Sequence, residues 1–315
     1  MPRAYIGELN APGDCLRLLL FVSIVVLAGG CAAGSREPNA SRPRANEAPY
    51  PVIFAANAER REQALVAWAA LARDQNLQNE PPPQLQPITA TISALPASDD
   101  ASLRLPLVEI NDSGGEIKED TTEEALRESL RRFIISAGAL LGVAPQNLSL
   151  VERKDDADGT GRARYQQQPF PYPLRAGFGV LEIAFTKDRR VRSLSSTAIP
   201  DTERLSRALT SLRPQQLSAD QAGERLRGRA FTYPGLVSPQ TYTIAPGDPV
   251  TARELVVYPV QPAGRAGALE LHLAWEMVIG RAGSTPFLIY LDAVTGDIIE
   301  ATAQAVQSEE RQKQQ

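Results

Sequence analysis

The chain has 315 residues, 43% hydrophobic and 22% charged, which is enough for a packed core and fits two domains best. Lys plus Arg total 33 and Asp plus Glu total 37; the net charge of -4 weighs against a nucleic-acid binder, so no nucleic-acid partner is expected. One His (His272) and two Cys (Cys15 and Cys31) exclude a four-cysteine zinc site, a two-Cys, two-His finger and a His-x-x-x-His metalloprotease site. No metal, cofactor or catalytic residue is assigned, and no enzymatic activity is expected.

Residues 18–28 (LLLFVSIVVLA) form an apolar run broken only by Ser23. At about 11 residues it is too short to span a bilayer, which needs roughly 20, and it fits the h-region of a secretory signal with Arg17 as its basic flank. Ala28, Gly29 and Gly30 then lead to Cys31. This resembles the bacterial lipobox, in which a Cys after small residues is lipidated and becomes the mature N-terminus. The alternative is an ordinary cleaved signal peptide with an incidental Cys. Under the lipobox reading, Cys31 is the lipidation site and the lipid bilayer is a partner, since each buried CH2 contributes about 0.8 kcal/mol. Ala32 and Ala33 follow with no adjacent Asp. By resemblance to lipoprotein sorting rules, that implies the outer membrane of a Gram-negative bacterium, or the cell surface.

Residues 31–55, rich in Pro, Ala, Asn, Ser and Arg, read as a tether. Within 56–100, residues 60–73 (RREQALVAWAALAR) have helical spacing, with Leu65, Trp68, Ala69 and Ala72 on one face, and a Pro-rich linker follows. Residues 103–110 (LRLPLVEI) alternate as a strand that Pro106 confines to a sheet edge. Thr121 and Glu124 have capping-box spacing, and Leu126, Leu130, Phe133, Ile134, Ala137 and Leu141 then recur at helical intervals until Gly142 and Pro145. Strands are expected over 148–153, 162–168, 177–186 and 191–196, the last two as a hairpin. Pro200 and Asp201 read as a break. Ser218 and Gln221 cap a further helix with Ala222 and Leu226 inward, and strands follow over 241–245, 254–260, 269–279, 286–292 and 297–301. The polar residues 304–315 read as a disordered tail.

A helix followed by antiparallel strands thus occurs twice. The expected fold class is α+β: two consecutive helix-plus-antiparallel-sheet units at 101–201 and 214–303, after a signal peptide (1–30) and a tether.

The second unit resembles a PepSY domain. LHLAWEMV at 271–278 and FLIYLDAVTGDII at 287–299 carry the likeness, ending in a turn formed by Asp292, Thr295, Gly296 and Asp297. Gly296 permits positive φ, and Asp292 and Thr295 can bond nearby backbone N–H groups. The first unit is similar to the fungalysin/thermolysin propeptide (FTP) domain. There RARYQQQPFPYPLRAGFGVLEIAF at 162–185 supplies the Gln-rich stretch, Phe170, Tyr172, Pro173, Leu174 and Gly177, with Pro171 where the family has glycine. In thermolysin-like proteases such domains form the propeptide, which assists folding of the catalytic domain and inhibits it.

Other motifs have plainer readings. Asp155, Asp156, Asp158 and Gly159 depart from an EF-hand, with Lys154 at the first ligand position and Tyr165 at the twelfth, and read as a solvated loop. Gly177 and Gly179 do not complete a phosphate loop. His272 reads as a strand residue without a nucleophile motif, and Trp68 and Trp275 as core or interface anchors. Glu270 and Glu276 share one strand face about 20 Å apart, too far for a glycosidase pair. The resemblance implies a non-catalytic envelope protein that binds, and inhibits or chaperones, an exported thermolysin-like metalloprotease in trans. Two alternatives stand beside it: a structural or envelope-assembly module unrelated to proteases, and a truncated metalloprotease precursor.

Overall fold

The computed structural model describes residues 49–77, 80–96, 103–111, 117–119, 122–168, 170–213, 216–235, 237–280 and 285–304. All lie within the unit Ala48–Gln315. Cys31, the signal segment and the tail beyond Gln304 fall outside the described residues.

The first half begins with strand β1 (Val52–Ala55) and helix α1 (Ala58–Asp74). Asn57 caps α1 by accepting from the Glu59 amide. The face of α1 differs from the expected one: Ala64, Trp68, Leu71 and Ala72 are buried, whereas Ala69 is exposed. Trp68 fixes the phase, because it is the largest apolar side chain on the helix and Leu71 and Ala72 fall beside it at the next turn. Short hairpins follow, β2 (Gln84–Leu85) with β3 (Ile92–Ala94) and β4 (Glu109–Asn111) with β5 (Ile117–Glu119). The expected strand over 103–110 is reduced to one bridge, Arg104 to Arg190, with β4 starting only at Glu109.

Helix α2 (Glu123–Ser136) is capped by Thr122, whose side chain accepts from the Ala125 amide. The expected cap lay one residue earlier. Acceptance at the third amide after the cap is the ordinary N-cap geometry, and it selects Thr122. A short helix α3 (Gly138–Leu141) ends at Gly142, whose φ is 71°. Strands β6 (Leu148–Asp155), β7 (Thr160–Gln167), β8 (Val180–Thr186) and β9 (Val191–Ser196) form a four-stranded antiparallel sheet in sequence order. Leu130 and Phe133 of α2, Leu140 of α3, Trp68 of α1 and Leu181 and Ile183 of β8 share one core. Each such fully buried side chain contributes about 1.5–3 kcal/mol.

The segment expected to be a break continues into helix α4 (Thr202–Ser211), with Leu205 and Leu209 buried. Helix α5 (Ala219–Leu226) carries the complete Ser218–Gln221 capping box. Strands β10 (Ala230–Tyr233) and β11 (Gln240–Thr243) form a hairpin. Strands β12 (Val250–Val260), β13 (Ala268–Ile279), β14 (Phe287–Asp292) and β15 (Ile298–Ala303) build a five-stranded sheet together with β1. The end of the expected tether is therefore a strand: Val52 pairs with Leu271 and Phe54 with Leu269, and both Val52 and Phe54 are buried. Two apolar side chains at period two outweigh the polar composition that precedes them. Among the described residues no helix is long and apolar enough to cross a membrane.

β13 is the central strand. One of its edges carries β12, and the other carries β1 and then β14. Leu269 and Leu271 pack against α4, and Met277 and Ile279 against α5. The alternate residues Glu270, His272, Ala274 and Glu276 therefore lie on the opposite face.

Candidate binding site

That opposite face holds two polar clusters. The first forms where β1 and β14 meet on the same edge of β13. The Tyr50 hydroxyl donates to Asp292 Oδ2 at 2.6 Å and accepts from the Leu273 amide at 3.2 Å. It thereby satisfies a ladder N–H at the seam between the two strands. His272 Nδ1 lies 2.8 Å from the same Asp292 oxygen, and Nε2 lies 3.5 Å from Glu270 Oε2. Burial, then the neighbouring Asp292 charge, pushes the Tyr50 phenol far above its ordinary range, so it remains a donor. Burial alone would raise the Asp292 carboxyl. The hydrogen bonds from His272, Tyr50 and the Thr295 and Val294 amides outweigh burial and hold it below the usual carboxylate range.

The turn residues complete this cluster. Asp292 Oδ1 accepts from the Val294 and Thr295 amides, both at 2.8 Å, and Thr295 Oγ1 accepts from the Asp297 amide at 3.3 Å. The backbone closes through Gly296 N to Asp292 O and Asp292 N to Asp297 O, with Gly296 at φ 79°. Asp292 therefore shapes the turn with one oxygen and holds Tyr50 and His272 with the other.

The second cluster centres on Glu276, whose side chain is 8% exposed. Arg175 donates through Nε to Glu276 at 2.9 Å and through Nη2 to Glu254. Arg253 lies 3.5 Å from the other Glu276 oxygen, and the Tyr290 hydroxyl is 3.4 Å from Glu276. Tyr258 donates to Glu300, and its ring lies 4.5 Å from that of Tyr290. Burial, then the Glu300 hydrogen bond, raises the Tyr258 phenol above its ordinary range.

Arg175 comes from the loop between β7 and β8, so it ties the first sheet's loop to the second sheet. Leu174 bridges Val257 in parallel, with Val257 N donating to Pro173 O and Arg175 N to Val257 O. The loop is anchored by Gln167, which exchanges two hydrogen bonds with the Ile199 backbone. Phe170 and Tyr172 pack against the core shared by β1, α4 and β13.

On the first sheet, β7 is the partner of β6, and among the described residues no strand lies on the other side of β6. Leu150 and Val151 on this edge are 38% and 56% exposed, and the register shifts between Leu150 and Glu152. A bulge and charged neighbours are usual protection for such an edge, which remains a template for strand addition. The acidic loop after β6 is occupied by its own surroundings: Asp156 pairs with Arg162 at 2.7 Å, Asp155 with Arg153 at 3.1 Å, and Asp158 accepts from the Thr160 amide. Among the described residues no group of three or more His, Cys, Asp or Glu side chains is arranged to hold a metal ion. Trp275 donates to Leu217 O at 2.9 Å, and Trp68 is in the first core.

No protein-family model matches the chain, and no curated protein matches it. Among solved structures the chain is similar to the Bacillus megaterium YpeB C-terminal domain, with 14% identity over 76% of this chain and 96% of that one, at a TM-score of 0.28.

Proposed function

We propose that the chain is a non-catalytic, lipid-anchored envelope protein. It binds an exported thermolysin-like metalloprotease, and inhibits or chaperones it in trans. The observation that carries the binding reading is the edge of β6 that no strand among the described residues covers, on an eight-residue strand with Leu150 and Val151 exposed beside it. Such an edge takes an extended segment by backbone hydrogen bonding, and the flanking side chains set selectivity. The metalloprotease as partner is supported by the FTP-like and PepSY-like residue patterns in consecutive order. The anchor is supported by the lipobox pattern ending at Cys31.

The non-catalytic reading is supported by the state of the single histidine. Both ring nitrogens of His272 face carboxylates, and its polar partners are Tyr50, Asp292 and Glu270. None of these is a hydroxyl or thiol poised as a nucleophile, because the Tyr50 phenol is pushed up and already donates to Asp292.

Affinity capture of the tagged protein from its host's envelope after mild cross-linking tests this proposal. Enrichment of a thermolysin-like metalloprotease over a Cys31→Ser control is the expected result. Retention only of envelope proteins without a zinc-binding motif would transfer the reading to envelope assembly.

A further inference from the structure

Helices α4 and α5 pack on one face of the five-stranded sheet, through Leu269 and Leu271 and through Met277 and Ile279. The other face has an apolar cluster of its own. Val256, Tyr258 and Ala274 are buried, and Val260, Tyr290 and Ile299 pack half-buried against them. All of these belong to β12–β15, so among the described residues no helix contributes to this cluster. Tyr258 and Tyr290 come from strands on opposite sides of β13. Their rings lie 4.5 Å apart, and Ala274 of β13 is fully buried beside them. Ile53 of β1, opposite Glu270, adds a side chain 39% exposed at the edge of this face. Half-buried apolar surface rimmed by polar groups and left without a covering layer marks an interaction surface.

The charges around the cluster select the occupant. Arg175 bridges Glu254 and Glu276, and Arg253 approaches Glu276, so these four groups balance. Among the described residues no arginine or lysine pairs with Asp292 or Glu300. Tyr50 and His272 hold Asp292, and Tyr258 donates to Glu300. A phenol that donates a hydrogen bond leaves the carboxylate its charge. Glu270 faces His272 Nε2 at 3.5 Å and Arg265 at 3.7 Å, and the Arg265 side chain is 67% exposed. The carboxylates on this face therefore outnumber the arginines. Glu300 is the cross-strand partner of Tyr290, and Glu270 lies two residues along β13 from His272, the partner of Tyr258. These two carboxylates thus flank the tyrosine pair.

We propose that this face of the second sheet is a docking surface for a basic segment of a partner polypeptide, whose Arg or Lys stems lie on the Tyr258–Tyr290 cluster while their cationic heads reach Glu270 and Glu300. Long cationic side chains suit such a floor, because their methylenes cover apolar surface and their heads are attracted to tyrosine faces and carboxylates. A small cation would neutralise the carboxylates and leave the apolar cluster uncovered. The surface is on a different sheet from β6, so it is available whatever the β6 edge takes.

The test titrates the full chain, at about 0.1 M salt, with a blocked heptapeptide of alternating Arg and Ala. Calorimetry reads binding, and the ring signal of His272 reads the place, because the chain has one histidine and it lies on this face. Saturable binding that shifts the His272 signal is expected. Glu270→Gln and Glu300→Gln should each weaken it about five-fold, the scale of one partly exposed charged contact. Glu224→Gln on α5, where the carboxylate is 73% exposed on the helix-covered side, removes the same charge and should leave binding unchanged. Val151→Lys on the first sheet should also leave it unchanged. Absence of saturable binding overturns the proposal. Equal weakening by Glu224→Gln overturns it as well, since bulk charge would then be the attraction. So does equally tight binding of spermine, which would reduce the face to a plain cation site.

Discussion

Arg175→Met removes the guanidinium that joins the β7–β8 loop to the second sheet and keeps most of the aliphatic stem. Glu276 is then left 8% exposed without its 2.9 Å partner. Breaking a fully buried ion pair by removing one member costs about 3–5 kcal/mol. Here Arg175 is 28% exposed, and Arg253 and Tyr290 still approach Glu276, so about 2 kcal/mol is expected. For a chain of this size that corresponds to a Tm lower by about 3 °C. Glu276→Gln in the Arg175→Met background removes the unpaired charge and should recover about 1 kcal/mol. Glu254→Gln alone, at a carboxylate 43% exposed, should stay within about 0.5 kcal/mol. Urea unfolding followed by tryptophan fluorescence reads both halves, with Trp68 in the first core and Trp275 beside the second. An Arg175→Met variant within about 0.5 kcal/mol of the parent, or a double variant with no recovery, would show that the Arg175–Glu276 pair does not stabilise the fold.

Gly142→Ala places a Cβ 2.4 Å from Thr91 Cγ2 and 3.1 Å from Pro200 Cγ at a φ of 71°. Strain and overpacking together should remove at least about 2 kcal/mol, read as a lower Tm. Ser218→Ala dismantles the capping box of α5 and should cost about 1 kcal/mol in urea unfolding. Asp292 has its folded carboxyl held low, so its contribution is present above the ordinary carboxylate range and is lost as pH falls through the folded value. Asp292→Asn should therefore flatten the acid limb of stability against pH; an unchanged limb would show that Asp292 does not contribute to it.

Local chemistry was the legible part of the sequence. The Ser218–Gln221 box and the Asp292–Asp297 turn both rest on bonds between residues two to five apart. Helix α4 carries a start signal, with Asp201 at its N-cap and Glu203 in its first turn, and Leu205, Leu209 and Leu212 recur at helical spacing and are buried; Pro200 beside Asp201 made the segment read as a break. Strand β10 is only four residues long and follows a helix closely, so Phe231 gave no periodic pattern. The alternation of Glu270, His272 and Glu276 showed that they share a face. It could not show their partners, since Tyr50 reaches Asp292 across 242 positions and Arg175 reaches Glu276 across 101. Such pairings depend on which strands become neighbours, and period-two alternation specifies a face rather than a neighbour.

The most direct test of the binding proposal is a titration of the purified full chain against a purified thermolysin-like metalloprotease exported by the same organism. Complex formation and hydrolysis of a peptide substrate are read together, and Val151→Lys serves as an edge-blocking variant at a side chain 56% exposed. Saturable binding is expected, weakened about ten-fold or more by Val151→Lys, because the substitution removes the most exposed apolar side chain beside the edge. Absence of binding, or binding that Val151→Lys leaves unchanged, would contradict that proposal.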